Sequence, residues 1–225
     1  QDGTTISETY LVNLSVPDPS TENSLNNLTV SQGTLSPSFN SDVLEYDLNL
    51  KYTEQDVTIN ASVDEADLSE LDKTQISKSF PVGTTTETFT VTAEDGTTKT
   101  YTINVNREAP STSSVIDQIT VNGNQASFND ESRYSYTLSE SVINFSFIVH
   151  TESDYATIQY KNENNSTYIN LLNNQSTQLI TIANDETIIF DVKVTAQDGT
   201  ETNYQLEVYK EASSDTSLNH VVLTE

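Results

Sequence analysis

Apolar and polar side chains alternate along most of this chain. The apolar positions fall at Tyr10, Val12, Leu14 and Val16, again at Leu44, Tyr46, Leu48 and Leu50, and at Val57, Ile59, Ala61 and Val63. A period of two places every apolar side chain of a run on one side of an extended backbone, so each run predicts a strand with one buried face. The same pattern returns at Phe89, Val91 and Ala93, at Tyr101, Ile103 and Val105, at Ile143, Phe145, Phe147 and Val149, and at Phe190, Val192 and Val194. Helical spacing is confined to Asp64 to Leu71, where Leu68 and Leu71 stand three apart behind acidic residues. That stretch reads as one short helical turn or a charged loop. The chain is therefore expected to be all-β.

The strands are punctuated by a recurring phrase. "EDGTTKTYTINV" ends one set and "QDGTETNYQLEV" another, and the chain begins with "QDGTTISETYLVNLSV". Glycine takes the positive φ that closes a hairpin while the preceding aspartate bonds back to the turn, so Asp95-Gly96 and Asp198-Gly199 are expected hairpin tips. Gly3, Gly96 and Gly199 recur at intervals of roughly one hundred residues, the size of one immunoglobulin-like sandwich. Each closing phrase is followed by a polar linker, "VPDPSTENS", "REAPSTSS" and "KEASSDTS", and then by a new apolar start at Leu25, Ile116 and Leu218. The organisation that follows is a closing strand of a preceding repeat over 1–17, one sandwich over 24–107, a second over 114–210, and the opening strand of a further repeat over 217–225. The expected fold is a tandem of immunoglobulin- or cadherin-like Greek-key sandwiches.

The stretch Ser24 to Arg107 resembles the cadherin-like β-sandwich domain of bacterial surface proteins. The resemblance rests on the opening Leu25 and Leu28, on Gly33, Leu35, Ser36, Pro37 and Phe39, on Tyr46, on Gly83, on the Asp95-Gly96 turn, and on the closing Tyr101, Ile103, Val105 and Arg107. The second copy is looser: it keeps Phe128, Tyr136, Asp198, Gly199 and Tyr204, reads "GNQASF" for the glycine-to-phenylalanine motif, and ends on Lys210. What the resemblance implies is architecture and an extracellular or cell-surface location, with repeats strung together in secreted or wall-attached proteins.

Composition narrows the chemistry. Nine basic residues against 34 acidic ones give a formal net charge of −25, which repels phosphate backbones and anionic lipid over most of the surface. Nucleic-acid binding and membrane insertion in this segment are not expected. The absence of cysteine removes disulfides, thiol catalysis and thiolate metal sites. No apolar run approaches the roughly 18 residues of a membrane span.

Nothing in the sequence reads as an active site, so no catalytic residue and no resident cofactor is expected. His150 and His220 are the two histidines and neither belongs to a ligand-spaced pair. Oxygen ligands for calcium are abundant in the linkers, at Asp18, Glu22, Glu108, Glu211 and Asp215. True cadherins hold calcium between repeats, and Glu108, Glu211 and Asp215 are the candidate ligands here, although the Asp-x-Asn-Asp-Asn linker signature is missing. For a sugar ligand the candidates are Tyr155, Tyr160 and Tyr168, which fall outside the strand alternation in an Asn-rich stretch; the plainer alternative is that they cap the core beneath a long loop. An internal isopeptide bond needs a buried lysine, whereas Lys99 and Lys193 occupy the outward phase of their strands. Gly33, Asp95, Gly96, Asp198 and Gly199 are read as structural turns.

Three functions compete on this reading. The first is a non-catalytic stalk or spacer of tandem sandwiches whose linkers are stiffened by Pro17, Pro19 and Pro110. The second is an adhesin that binds a glycan or a cell-surface protein through Asp154 to Gln178. The third is an extracellular filament subunit whose terminal strands add to the sheets of other copies. The partners expected are neighbouring repeats, with a glycan, a surface protein or copies of the same chain in the two alternatives.

Overall fold

In a computed structural model, residues 13–64, 69–130 and 132–214, with Gly3 and Leu11, are described. The chain divides into two compact units, residues 1–109 and 110–225. Every regular element among the described residues is a strand.

In the first unit the strands are β1 (Asn27–Val30), β2 (Thr34–Ser36), β3 (Glu45–Leu50), β4 (Asp56–Ser62), β5 (Glu70–Leu71), β6 (Gln75–Ser79), β7 (Gly83–Thr92) and β8 (Thr98–Arg107). They form a three-stranded sheet in the order β1-β4-β6 and a five-stranded sheet in the order β2-β3-β8-β7-β5. Both sheets contribute to one core that includes Leu28, Val57 and Ile59 from the first and Tyr46, Leu48, Phe89, Ile103 and Val105 from the second. The alternation predicted this directly: β3 buries Tyr46, Leu48 and Leu50 and exposes the residues between them. All pairings are antiparallel except β3 with β8, which run parallel with Tyr46 opposite Ile103 and Leu50 opposite Arg107.

The second unit comprises β9 (Ile116–Val121), β10 (Asn124–Gln125), β11 (Ser127–Asp130), β12 (Arg133–Leu138), β13 (Asn144–Phe145), β14 (Phe147–Thr151), β15 (Thr157–Asn162), β16 (Ile169–Leu171), β17 (Ile180–Thr181), β18 (Thr187–Thr195) and β19 (Glu201–Lys210). The large sheet runs β11-β12-β19-β18-β15-β16, opposite a β10-β9-β14 sheet and a short β13-β17 pair. Again one parallel pair joins an early strand to the last, β12 with β19, with Tyr134 opposite Leu206 and Leu138 opposite Lys210. The two parallel ladders fix the correspondence between units. Tyr46 matches Tyr134, whereas the sequence reading had taken Tyr136 as its counterpart; Tyr136 stands at the position of Leu48. The error arose because Tyr134 and Tyr136 share a phase, and the partner strand, which is distant in sequence, sets the register.

Other expectations need adjustment. Ile143 is 70% exposed because the strand begins only at Asn144, while Phe145, Phe147 and Val149 are buried as predicted. The stretch from Asp64 to Leu71, read as a helical turn or loop, ends as β5 paired with β7; residues 65–68 lie outside the described residues. Of the closing strand expected over 1–17, Gly3, Leu11 and residues 13–17 are described; residues 13–17 form no strand, and Leu11, Leu14 and Val16 are 90% exposed. A strand persists only where a neighbour pairs its backbone. The opening strand expected over 217–225 lies wholly outside the described residues, as do His220 and Asp215.

Candidate functional site

The Asp-Gly hairpins have the same hydrogen bonds in both units. Ala93 N–H donates to Thr97 O at 2.8 Å and Gly96 N–H to Ala93 O at 3.0 Å; Ala196 N–H donates to Thr200 O at 2.8 Å and Gly199 N–H to Ala196 O at 3.0 Å. The aspartate side chain closes each loop by accepting from the second residue on, Thr97 N–H or Thr200 N–H, both at 2.8 Å. Gly96 and Gly199 take φ of 86° and 93°, a region costly for residues with a Cβ. The Thr97 hydroxyl and N–H beside Asp95 hold its carboxyl below the usual carboxylate range.

These tips do more than turn the chain, which the sequence reading did not foresee. The linker arriving at each sandwich is bound to the tip. Asp95 N–H donates to Ser20 O at 3.1 Å, and Ser20 N–H to the Glu94 carboxylate at 3.0 Å. In the second unit Asp198 N–H donates to Ser111 O at 3.1 Å, and Ser111 N–H to the Gln197 side-chain oxygen at 2.9 Å. Just beyond, a buried tyrosine of the last strand takes hold: Leu25 N–H donates to the Tyr101 hydroxyl at 3.0 Å, and the Tyr204 hydroxyl donates to Ser114 O at 3.2 Å. The only sequence signal was that Ser20 and Ser111 stand at like places in the two linkers.

Where the chain leaves each sandwich the two units again agree. Glu108 N–H donates to Leu50 O at 2.9 Å and Glu211 N–H to Leu138 O at 3.0 Å, extending each parallel ladder by one bond. Both carboxylates are exposed. Among the described residues no three carboxylate or imidazole side chains converge in a set able to hold a metal ion. The residue before each glutamate is fixed differently. Arg107 donates to Tyr52 O and Phe80 O and lies over the Tyr52 ring, whereas Lys210 is 5% exposed. His150 lies in β14 and its ring meets the Asn174 side chain.

The three tyrosines proposed for a sugar do not share one environment. Tyr160 is 8% exposed and its ring packs against Phe147 and Phe190; it is a core residue of β15, in phase with buried Ile158. Burial pushes its hydroxyl pKa upward. Tyr155 is 47% exposed, in the loop before β15. Tyr168 precedes β16, and the ammonium groups of Lys161 and Lys193 lie 5.3 and 5.6 Å from its ring centroid. The stretch expected to be a long loop is instead the β15–β16 hairpin, with Tyr160 opposite Ile169.

Comparison with known proteins extends the sequence reading. Residues 25–108 match the family described as cadherin-like beta sandwich domain. Among solved structures, the extracellular domain of a one component system from B. thetaiotaomicron is similar at 11% identity, with a TM-score of 0.31, covering 70% of this chain and 29% of that one. Protocadherin gamma B7 extracellular cadherin domains 1–4 are similar at 10% identity and a TM-score of 0.29, covering 80% of this chain and 54% of that one. Fibronectin(III)-like modules of Clostridium thermocellum CbhA are similar at 10% identity and a TM-score of 0.24, covering 86% of this chain and all of that one. The chain spans under a third of the length of the first two B. thetaiotaomicron domains it resembles, 29% and 24%. No curated protein matches it. No helix among the described residues is long and apolar enough to cross a membrane. The match to the cadherin-like beta sandwich family covers residues 25–108, which make up most of the first unit.

Proposed function

We propose that the two units are non-catalytic spacer modules of an extracellular, cell-surface protein. One observation carries this reading. In each unit the chain arrives bound to the tip of the final hairpin and departs from the far end of the strand that follows it. That strand, β8 or β19, is ten residues long, about 33 Å at the rise of an extended chain. A module that takes the chain from one pole to the other adds length with every copy, and hydrogen bonds at both poles pass tension into the sheet. The extracellular setting is supported by the family match over residues 25–108.

Single-molecule stretching between residues 18 and 214 tests the spacer role. Two abrupt events are expected, each releasing about 250–300 Å as one sandwich unravels. Release in many short steps, with the sandwiches peeling open from the linker side, would overturn it.

A further inference from the structure

The second unit has a cleft for which the spacer role has no use. It lies on the outward face of the large sheet, has a volume of about 400 Å³, and is lined by Ser132, Arg133, Tyr168, Asp191, Asn203 and Gln205. The floor comes from neighbouring strands, since Arg133 stands opposite Gln205 and Gln205 opposite Asp191. One wall is the start of β12; the other is Tyr168, brought over the sheet by the β15–β16 hairpin. The ring is held by the two ammonium groups beside it, a cation–π arrangement. Those lysines are themselves paired, Lys161 with Asp191 at 3.2 Å and Lys193 with Glu201 at 3.1 Å. Asp191 also accepts from the Gln205 amide at 3.2 Å. By contrast, among the described residues Arg133 pairs with no carboxylate and the Asn203 amide has no hydrogen-bond partner.

We infer that this cleft binds a neutral oligosaccharide, with a sugar ring against Tyr168 and its hydroxyls on Arg133, Asn203 and Asp191. A hydroxyl both donates and accepts, which matches a guanidinium, an amide and a carboxylate side by side. An aromatic ring with a few fixed polar groups is the usual make-up of a small-molecule site, and the volume is within the range of such sites, enough for about two sugar rings. A neutral ligand fits better than an acidic one. Lys161 and Lys193 are cancelled by Asp191 and Glu201, and the single charge of Arg133 stands in the field of a chain with a net charge of −25, which repels an acidic ligand. In the first unit β5 is two residues long and only residues 72–74 separate it from β6, so no hairpin there supplies a counterpart to Tyr168.

The test is calorimetric titration of the full chain with cellohexaose, laminarihexaose, mannohexaose and maltohexaose, with trigalacturonate as the acidic control. Binding of at least one neutral hexasaccharide is expected, weakened about tenfold or more by Tyr168→Ala and by Asn203→Ala, retained in Tyr168→Phe, and unchanged in Tyr155→Ala. The inference is overturned if none of the four binds at ~1 mM, if trigalacturonate alone binds, or if binding survives Tyr168→Ala. The melting temperature of each variant separates loss of the site from loss of the fold. The outcome leaves the spacer reading untouched, since stretching is measured without sugar.

Discussion

The large sheets of the two sandwiches follow one order as far as β5 and β15, but the sandwiches close their aromatic poles differently. In the first, Phe39 stacks on Tyr46 with ring centroids 6.3 Å apart, and the Tyr46 hydroxyl donates to Asn40 O at 2.6 Å. The Tyr101 hydroxyl donates to Ser41 O at 2.6 Å, so one loop seals both rings, which are 1% and 0% exposed. In the second, the shorter "GNQASF" loop leaves Phe128 56% exposed against Tyr134, 4.9 Å between centroids. Its additional residues lie instead at the β16 edge, where the hairpin carrying Tyr168 widens the large sheet from five strands to six. The parallel ladders and Asp-Gly hairpins are the common frame, and the units differ in the loops hung on it.

Core truncation breaks the comparison most severely. Phe147 is fully buried between Tyr160 and Phe190, with centroids 5.2 and 5.0 Å away, an aromatic cluster of the second unit. Phe147→Ala is expected to cost about 4 kcal/mol and to unfold the second unit ahead of the first. Hydrogen exchange read peptide by peptide checks this: protection should fall across β14, β15 and β18 and stay unchanged in β3 and β8.

A pair of glycines sharpens it. Gly33 and Gly123 both have φ of +80°, but a Cβ on Gly33 would stand 2.5 Å from a Leu50 methyl and 2.7 Å from Asn49 O, whereas a Cβ on Gly123 meets nothing within 4 Å. Gly33→Ala adds a backbone clash to the conformational strain and should cost about 2–3 kcal/mol. Gly123→Ala carries the strain alone, about 1 kcal/mol. Equal losses in urea unfolding would mean that the first-unit loop retreats from Leu50 freely.

These pairs also show what was legible in the sequence. The strands of the first unit were readable because Tyr46, Leu48 and Leu50, or Tyr101, Ile103 and Val105, alternate without interruption and each run carries its own periodic signal. The hairpin tips were readable because Asp-Gly is a local instruction. The anchoring of Ser20 and Ser111 was not, since it joins residues far apart through backbone atoms, to which side-chain pattern is blind. The hairpin at β15–β16 escaped for a related reason. Its outer strand is three residues long, Ile169–Leu171, with two of them exposed, too short for a period-two pattern. Without that outer strand Tyr168 reads like Tyr160, although only Tyr160 shares the alternation of Ala156 and Ile158 and enters the core.

The tyrosine of the last strand offers a milder contrast. Tyr101→Phe removes the acceptor for the buried Leu25 N–H and the donor to Ser41 O, and is expected to cost about 2 kcal/mol. Tyr204→Phe removes one bond, to Ser114 O, and is expected to cost about 1 kcal/mol. Thermal unfolding of the two variants, followed by circular dichroism, measures the difference. A larger loss for Tyr204→Phe would show that the second linker depends on its tyrosine more than the first does.

The smallest effect expected is alkaline. Burial, reinforced by the neighbouring Tyr204 and Asp117, pushes the Tyr134 hydroxyl up to about 12, and burial also raises Tyr160. Tyr209 is raised mainly by its hydrogen bond to Asp185. All three belong to the second unit. A tyrosine whose pKa is higher in the folded state keeps its proton there after the unfolded chain has released it, so stability is whole below pH 10 and declines as pH rises from 10 towards 12. By pH 10.5 the share from Tyr134 is under about 1 kcal/mol. Urea titrations at pH 9 and pH 10.5, followed through the methyl signals of Val105 and Val208, separate the units. The Val208 midpoint should fall while the Val105 midpoint moves less. A fall confined to Val105 would place the alkaline weakness in the first unit and would mean that the open aromatic pole around Phe128 admits enough water to relieve Tyr134.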